Sequence, residues 1–271
     1  MGLPDKRRFG PAGKRQRVPW QTRGSALDGD RPAPFCGPAP LPGTWAGAWT
    51  LEPALLTALA LSGLAGLWWL RGAEPERQRA FGVAAAGVVV AFVSPLCALT
   101  VALFAARGLH HMVLILLVAP ALAVAFPWRR APLGAGFVAL SAALWAWHLP
   151  ALYAAAWDSA AIYWAMQLAL LGSGWVFWAA VLGRRGELSV VLGAAGAATA
   201  LAAQMGLIGA ILVFAPVVLY PEHLVGAEGF GFGALADQQL AGLVMWVPGM
   251  LPLALAAGWM LRQGWREAGA G

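Results

Sequence analysis

The sequence predicts an all-α fold: an integral membrane bundle of about seven transmembrane helices, with its N-terminus outside and its C-terminus in the cytoplasm. Three observations predict it. Apolar residues make up 60% of the 271, and charged residues only 11%, which is more apolar surface than one soluble core can bury. Apolar runs of roughly 20 residues recur along the chain, the length that crosses a hydrocarbon core of about 30 Å. The Lys and Arg residues behind the formal charge of +6 sit in short clusters between those runs. That arrangement marks cytoplasmic loops rather than a nucleic-acid surface.

Residues 1–50 are basic, rich in Pro and Gly, and carry no periodic apolar pattern, so the sequence predicts a disordered tail followed by a membrane domain over 51–271. The first span runs from about Pro53 to Leu70 and is closed by Arg71, Arg77 and Arg79. The second starts near Phe81 and breaks at Ser94-Pro95, and residues 96–106 read as a re-entrant or interfacial helix, or else as the end of a longer span. The third covers roughly His110 to Phe126, the fourth Leu133 to Pro150, the fifth Ala160 to Leu182, the sixth Leu188 to Phe214, and the seventh about Gln239 to Leu261.

Loop charge orients the bundle. The loops after spans one, three, five and seven hold Arg71, Arg77, Arg79, Arg129, Arg130, Arg184, Arg185, Arg262 and Arg266, against Arg107 alone on the opposite side. The first set is therefore expected in the cytoplasm. Eight cationic residues of the tail then lie outside, against the same rule. Either the tail is tolerated there, or the native start lies further along and residues 1 to about 49 are dispensable.

The polar residues converge once the chain is oriented. All four histidines, His110, His111, His148 and His223, fall toward the outer face, and so does the boundary stretch DQQLAGLVMWVPGM from Asp237 to Met250. An acid at the edge of a bilayer needs a partner, and the expectation is that Asp237 neutralises Arg107 or orients a histidine. Imidazoles with the thioether of Met245 form a ligand set suited to Cu(I). His111, His148, Asp237 and Met245 are the candidate metal site, with Cys97, His110 and His223 in second rank. The rival is an interfacial hydrogen-bond network that only fixes helix ends. Adjacent helical residues point about 100° apart, so His110 and His111 are not expected to face one ion. Cys36 and Cys97 lie far apart, with no paired spacing that implies a disulfide framework or a zinc motif.

Ser94-Pro95-Leu96, the run HMVLILLVAP from His111 to Pro120, WHLPALY from Trp147 to Tyr153, Gln204-Met205 with Gly209-Ala210, Tyr220, and the stretch from Asp237 through Met245-Trp246-Val247-Pro248-Gly249 occur in that order. With these motifs, roughly residues 53 to 261 resemble the multi-span CtaG family of cytochrome c oxidase assembly factors. The resemblance implies a factor that assists maturation of a haem-copper oxidase from the outer face of a bacterial-type plasma membrane, with copper as its cargo and cytochrome c oxidase subunits as partners. The family's pattern has His-Met-x-x-His in span three and His-x-x-x-His in span five. Here the matching positions are Arg107 with His111, and Tyr163 with Gln167. Two other classes stay open at this point, a haem- or quinone-binding oxidoreductase and a small-solute transporter. No nucleophile with a positioned base, phosphate loop or nucleotide motif is present, which argues against enzymology of the soluble type.

Overall fold

A computed structural model describes residues 34–184 and 187–268. The chain divides into two units, Met1–Pro32 and Ala33–Gly271, and everything below concerns the second. Up to residue 33 the expected tail lies outside the described residues. Among the described residues the regular elements are all helical: α1 (Pro53–Trp69), α2 (Pro75–Phe92), α3 (Pro95–Ala102), α4 (Phe104–Ala125), α5 (Leu133–Trp147), α6 (Pro150–Asp158), α7 (Ala160–Gly183), α8 (Leu188–Phe214), α9 (Leu224–Gly229) and α10 (Ala234–Ala268). Short 3-10 turns lie at Trp45–Gly47 and Pro221–His223.

Helices α4, α7, α8 and α10 are each long and apolar enough to cross a membrane. The pairs α2/α3 and α5/α6, bent by 44° and 78°, raise the number of candidate spans to six if each pair counts as one. This is a multi-pass membrane protein. Its outward faces carry residues such as Leu168, Phe214 and Leu255, 66%, 74% and 72% exposed, as a lipid-facing surface requires.

Local chemistry explains most of the helix starts. Glu52 accepts hydrogen bonds from the N–H groups of Ala54 and Leu55 (3.1 and 2.6 Å) ahead of Pro53. Ser94 does the same for Leu96 (3.2 Å) ahead of Pro95, and Ser159 caps α7 through Ile162. Inside α4 the segment Val113–Val118 widens to a π-helix. Pro120 has no N–H to return to the preceding turn, and the carbonyl of Ile115 accepts a bond from the indole of Trp178 in α7 instead (2.8 Å).

Cross-ties give the bundle two distinct ends. At one, Arg77 Nε donates to the carbonyl of Ala125 (2.9 Å), joining the start of α2 to the end of α4, and Gly264 near the end of α10 lies against Val191 and Leu188 of α8. At the other end lie the starts of α4, α7 and α10, the ends of α2, α5 and α8, and helices α3, α6 and α9. Helices α8 and α10 cross closely at Gly209 and Gly242. A Cβ at Gly242 would stand 2.5 Å from the Gly209 carbonyl oxygen, and one at Gly209 would stand 2.7 Å from that of Gly242. Small residues at such a crossing let two backbones approach where lipid supplies no hydrophobic driving force.

The structure corrects several expectations. The third span begins at Phe104, so His110 and His111 lie within the helix and do not open it. The fourth span, expected from Leu133 to Pro150, ends at Trp147 and is followed by a separate helix, α6, and the last helix starts at Ala234 where about Gln239 was expected. Residues 34–50 are not a structureless continuation of the tail. Phe35 stacks on Tyr163 (5.3 Å between ring centroids), the Thr50 N–H bonds the Val93 carbonyl (2.9 Å), and Cys36 is joined to Cys97 by a disulfide with the Cα atoms 5.4 Å apart. Their 61-residue separation hid the pairing, because only the fold-back of α3 behind Ser94-Pro95 brings Cys97 to the end where Cys36 lies.

The α8/α10 crossing yields a direct test. Gly242→Leu has no space to occupy, and overpacking of this kind costs about 1–3 kcal/mol. The variant should melt several degrees below the wild type in detergent, whereas Gly258→Leu, at a position with nothing near its Cβ, should leave the melting temperature unchanged.

Candidate functional site

The site begins with a helix that lacks its own cap. Leu103, the residue before α4, offers no side-chain acceptor, so the first N–H groups of α4 need one from elsewhere. Asp237 in the first turn of α10 supplies it: its two carboxylate oxygens accept from the N–H groups of Phe104 (2.6 Å) and Ala105 (3.1 Å). A carboxylate at a helix N-terminus also meets the positive end of the helix dipole. The expected pairing of Asp237 with Arg107 is therefore replaced by a backbone cap. Next to it, buried Gln238 accepts from the Leu219 N–H (2.7 Å) and donates to the Val217 carbonyl (3.2 Å), which fixes the loop between α8 and α9.

With α4 anchored this way, Arg107 and His111, one helical turn apart, face a small cavity of about 10 Å³ that is also lined by Trp147, His148, Tyr153 and Met245. Three of the four first-rank candidates thus share one cavity, and the fourth holds the helix that carries one of them. His148 follows the last turn of α5, where its Nδ1 pairs with the Leu144 carbonyl (2.6 Å). As a carbonyl only accepts, Nδ1 carries the proton and Nε2 keeps its lone pair. The Nε2 atom of His111 is buried with no hydrogen-bond partner, and Met245 is 1% exposed. Two imidazole nitrogens and a thioether are the donors on hand.

The second-rank candidates separate from this group. His110 turns to Phe92, which it meets edge-on at 5.1 Å, and is absent from the cavity wall, in line with the angular argument for adjacent residues. Cys97 is held in the disulfide and offers no thiolate. His223 shares a 2.6 Å hydrogen bond with the Tyr153 hydroxyl and lies among Phe104, Tyr153 and Trp157. Among the described residues, no three His, Cys, Asp or Glu side chains come together as a metal-binding group.

Arginine and tyrosine complete this end of the bundle. Arg107 is 4% exposed and lies over the rings of Tyr163 and Tyr153, 5.5 and 6.0 Å from their centroids, a cation–π arrangement strengthened by desolvation. The only three tyrosines of the chain, Tyr153, Tyr163 and Tyr220, are all buried at this end. Tyr220 donates to the His148 carbonyl (2.7 Å) and stacks on Phe104 at 4.1 Å. The signal available in the sequence was compositional: tyrosine occurs nowhere else in the chain.

The fold and site together define a multi-span membrane protein with a buried imidazole, tyrosine and arginine cluster at one end of its helices. The family model described as cytochrome c oxidase caa3 assembly factor (Caa3_CtaG) matches residues 131–267, and the chain belongs to that family. The matched segment contains His148, Tyr153, Asp237 and Met245, whereas Cys97, Arg107 and His111 precede it. No curated protein and no solved structure matches the chain.

Two outcomes follow from this geometry. Removing a capping side chain costs about 0.5–2 kcal/mol, so Asp237→Ala should lower the melting temperature in detergent, and Asp237→Asn, which keeps one acceptor oxygen, should recover part of the loss. Equal melting of all three proteins would refute the cap. His223, in the loop before α9, is held neutral: burial first and the Arg107 charge second lower its pKa from the usual 6.5 to about 3, against the pull of the Val101 and Ala102 carbonyls. The unfolded chain takes up this proton near pH 6.5 and the folded chain does not, so stability is complete above that pH and declines as pH falls toward 3. Thermal unfolding from pH 7 to 4 should show a smaller decline for His223→Gln than for the wild type.

Proposed function

We propose that this protein assembles a haem-copper cytochrome c oxidase in a bacterial-type plasma membrane by holding Cu(I) at the outer face and passing it to an oxidase subunit. His111, His148 and Met245 carry the ion in this reading. The observation behind it is their shared cavity, in which His148 Nε2 keeps its lone pair, His111 Nε2 has no partner, and the third wall brings a soft thioether. Asp237 becomes a positioning residue. Its cap on α4 sets where the helical turn carrying Arg107 and His111 stands.

Arg107 tunes the site. The donor set is neutral, so bound Cu(I) keeps its single positive charge beside a guanidinium. Repulsion in a low-dielectric setting weakens retention, and weak retention suits a carrier whose cargo must leave. The same residue replaces a histidine of the family's pattern, which lowers the number of nitrogen ligands and acts in the same direction.

Two features support an outward-facing site. Arg71, Arg77, Arg79, Arg129, Arg130, Arg184, Arg262 and Arg266 lie toward the end opposite the cluster, the distribution that marks a cytoplasmic face. The Cys36–Cys97 disulfide lies at the cluster's end, and disulfides persist in oxidising compartments. With α1, at 17 residues, as a seventh span, the membrane domain starts outside and ends in the cytoplasm.

Thiol labelling tests the orientation. The described residues have no free cysteine, so single cysteines report without background from them. Val225→Cys, at a position 81% exposed beside the cluster, should react with an impermeant maleimide in intact cells, and Glu76→Cys only after permeabilisation. The reverse pattern would place the cluster in the cytoplasm. In cells lacking the native factor, His111→Ala, His148→Ala and Met245→Leu should each reach the membrane at wild-type amounts yet lower the copper content of the oxidase several-fold. Full copper loading in all three would leave the cluster a purely structural network.

A further inference from the structure

We propose that the cleft between α1, α2 and α7 binds a neutral prenyl quinone, with a ring carbonyl hydrogen-bonded to Gln167. The site is independent of the oxidase role and lies apart from the histidine cavity. Its volume is about 440 Å³, within the range of small-molecule sites. Leu59 of α1, Phe81 and Phe92 of α2, and Trp164, Gln167 and Leu171 of α7 form its principal walls.

The cleft stays open for a local reason. Helix α1 rests on α2 where the Phe81 ring lies over Gly66, but Ser62, Gly63, Ala84 and Ala85 on the facing turns are too small to fill the gap between the helices. Leu168, also on the wall, is 66% exposed, so the cleft reaches the lipid-facing surface and can be reached sideways from the hydrocarbon.

Gln167 defines the chemistry of the occupant. It is 2% exposed, and neither its amide nitrogen nor its oxygen has a hydrogen-bond partner. An unpaired amide in an apolar setting is costly, and a small rotation of the side chain presents it to a ligand in the cleft. That ligand needs an acceptor for Nε2, and a hydroxyl form also supplies a donor for Oε1. It must be uncharged, since no charged side chain lines the cleft and an ion would be stripped of water without compensation. A phospholipid does not meet these terms. Its charged head stays at the interface, whereas Gln167 lies seven residues along α7 from Ala160, about 10 Å of helix. Beside Gln167, Phe92 and Trp164 stack with ring centroids 5.3 Å apart and planes 26° from parallel, which offers a conjugated ring an aromatic surface to pack on. A quinone head with a prenyl tail satisfies each requirement.

The test uses the full chain in detergent micelles and a naphthoquinone bearing a two-isoprene tail, titrated calorimetrically, with the matching prenyl alcohol and a phosphatidylglycerol as separate arms. The wild type should bind one quinone per chain saturably. Gln167→Leu should bind about tenfold more weakly or worse, the loss expected for one hydrogen bond, without a fall in melting temperature, because the substitution removes an unpaired amide. Ala85→Trp, which fills the cleft, should abolish binding. If Ala85→Trp does not fold, the Gln167→Leu comparison decides alone. Absence of saturable binding in the wild type, equal affinity in Gln167→Leu, or equal binding of the prenyl alcohol or the phospholipid would overturn the assignment.

Discussion

The carboxylate of Asp237 closing the first turn of α4 is the contact on which the arrangement of this end depends. It joins helices more than 130 residues apart in sequence through charge-assisted bonds to backbone, which are shorter and stronger than neutral ones. In a membrane setting, unsatisfied N–H groups at a buried helix start have no water to turn to. The cap therefore does more than end a helix. It fixes the axial position of α4 against α10, and with it the level at which Arg107 and His111 meet Met245. Gln238, the next residue, performs the matching task for the loop that carries Tyr220, and Tyr220 in turn holds the carbonyl of His148. Two adjacent residues, Asp237 and Gln238, thus tie three parts of the chain to one level.

The two ends of the bundle are chemically unlike. One carries exposed or half-exposed arginines that snorkel, bond terminal carbonyls or lie over tryptophan, as Arg77 does with Ala125 and Arg71 with Trp68. The other, among the described residues, places Arg107 in the interior beside tyrosine rings, and joins Cys36 to Cys97 by a disulfide. Arginine at the first end stays at the surface of the bundle, and at the second it shapes the electrostatics of a cavity.

Much of the fold was legible because helix boundaries in a membrane chain are written in local chemistry. The apolar run from Ala160 marked the start of α7, the run from Leu188 to Phe214 is α8, and Ser94-Pro95 marked the break between α2 and α3. Where the controlling contact is distant, the sequence was silent. Leu103 is a poor cap, so the start of α4 was read too late, at His110 and His111 beyond Arg107; the acceptor it uses is on α10. The Cys36–Cys97 bond and the order it imposes on residues 34–50 depend on a fold-back that no spacing rule contains. Of the cavity wall, His111, His148 and Met245 were named by asking which residues reach the same end. Asp237 was placed at that end as well, where its carboxylate caps α4 instead of pairing with Arg107. The tyrosines entered the sequence reading only as motif residues or, for Tyr163, as the position matching a family histidine, and each taken singly is an ordinary residue at a membrane boundary.

The central claim is that His111, His148 and Met245 form one Cu(I) site tuned by Arg107. X-ray absorption at the copper edge of purified protein loaded with one equivalent of Cu(I) tests it most directly. The account predicts a low-coordinate ion with two imidazole nitrogens and one sulfur, with the sulfur contribution lost in Met245→Leu and tighter retention of the ion in Arg107→Gln. A protein that retains no Cu(I), or one whose ligand set is unchanged in Met245→Leu, would contradict it.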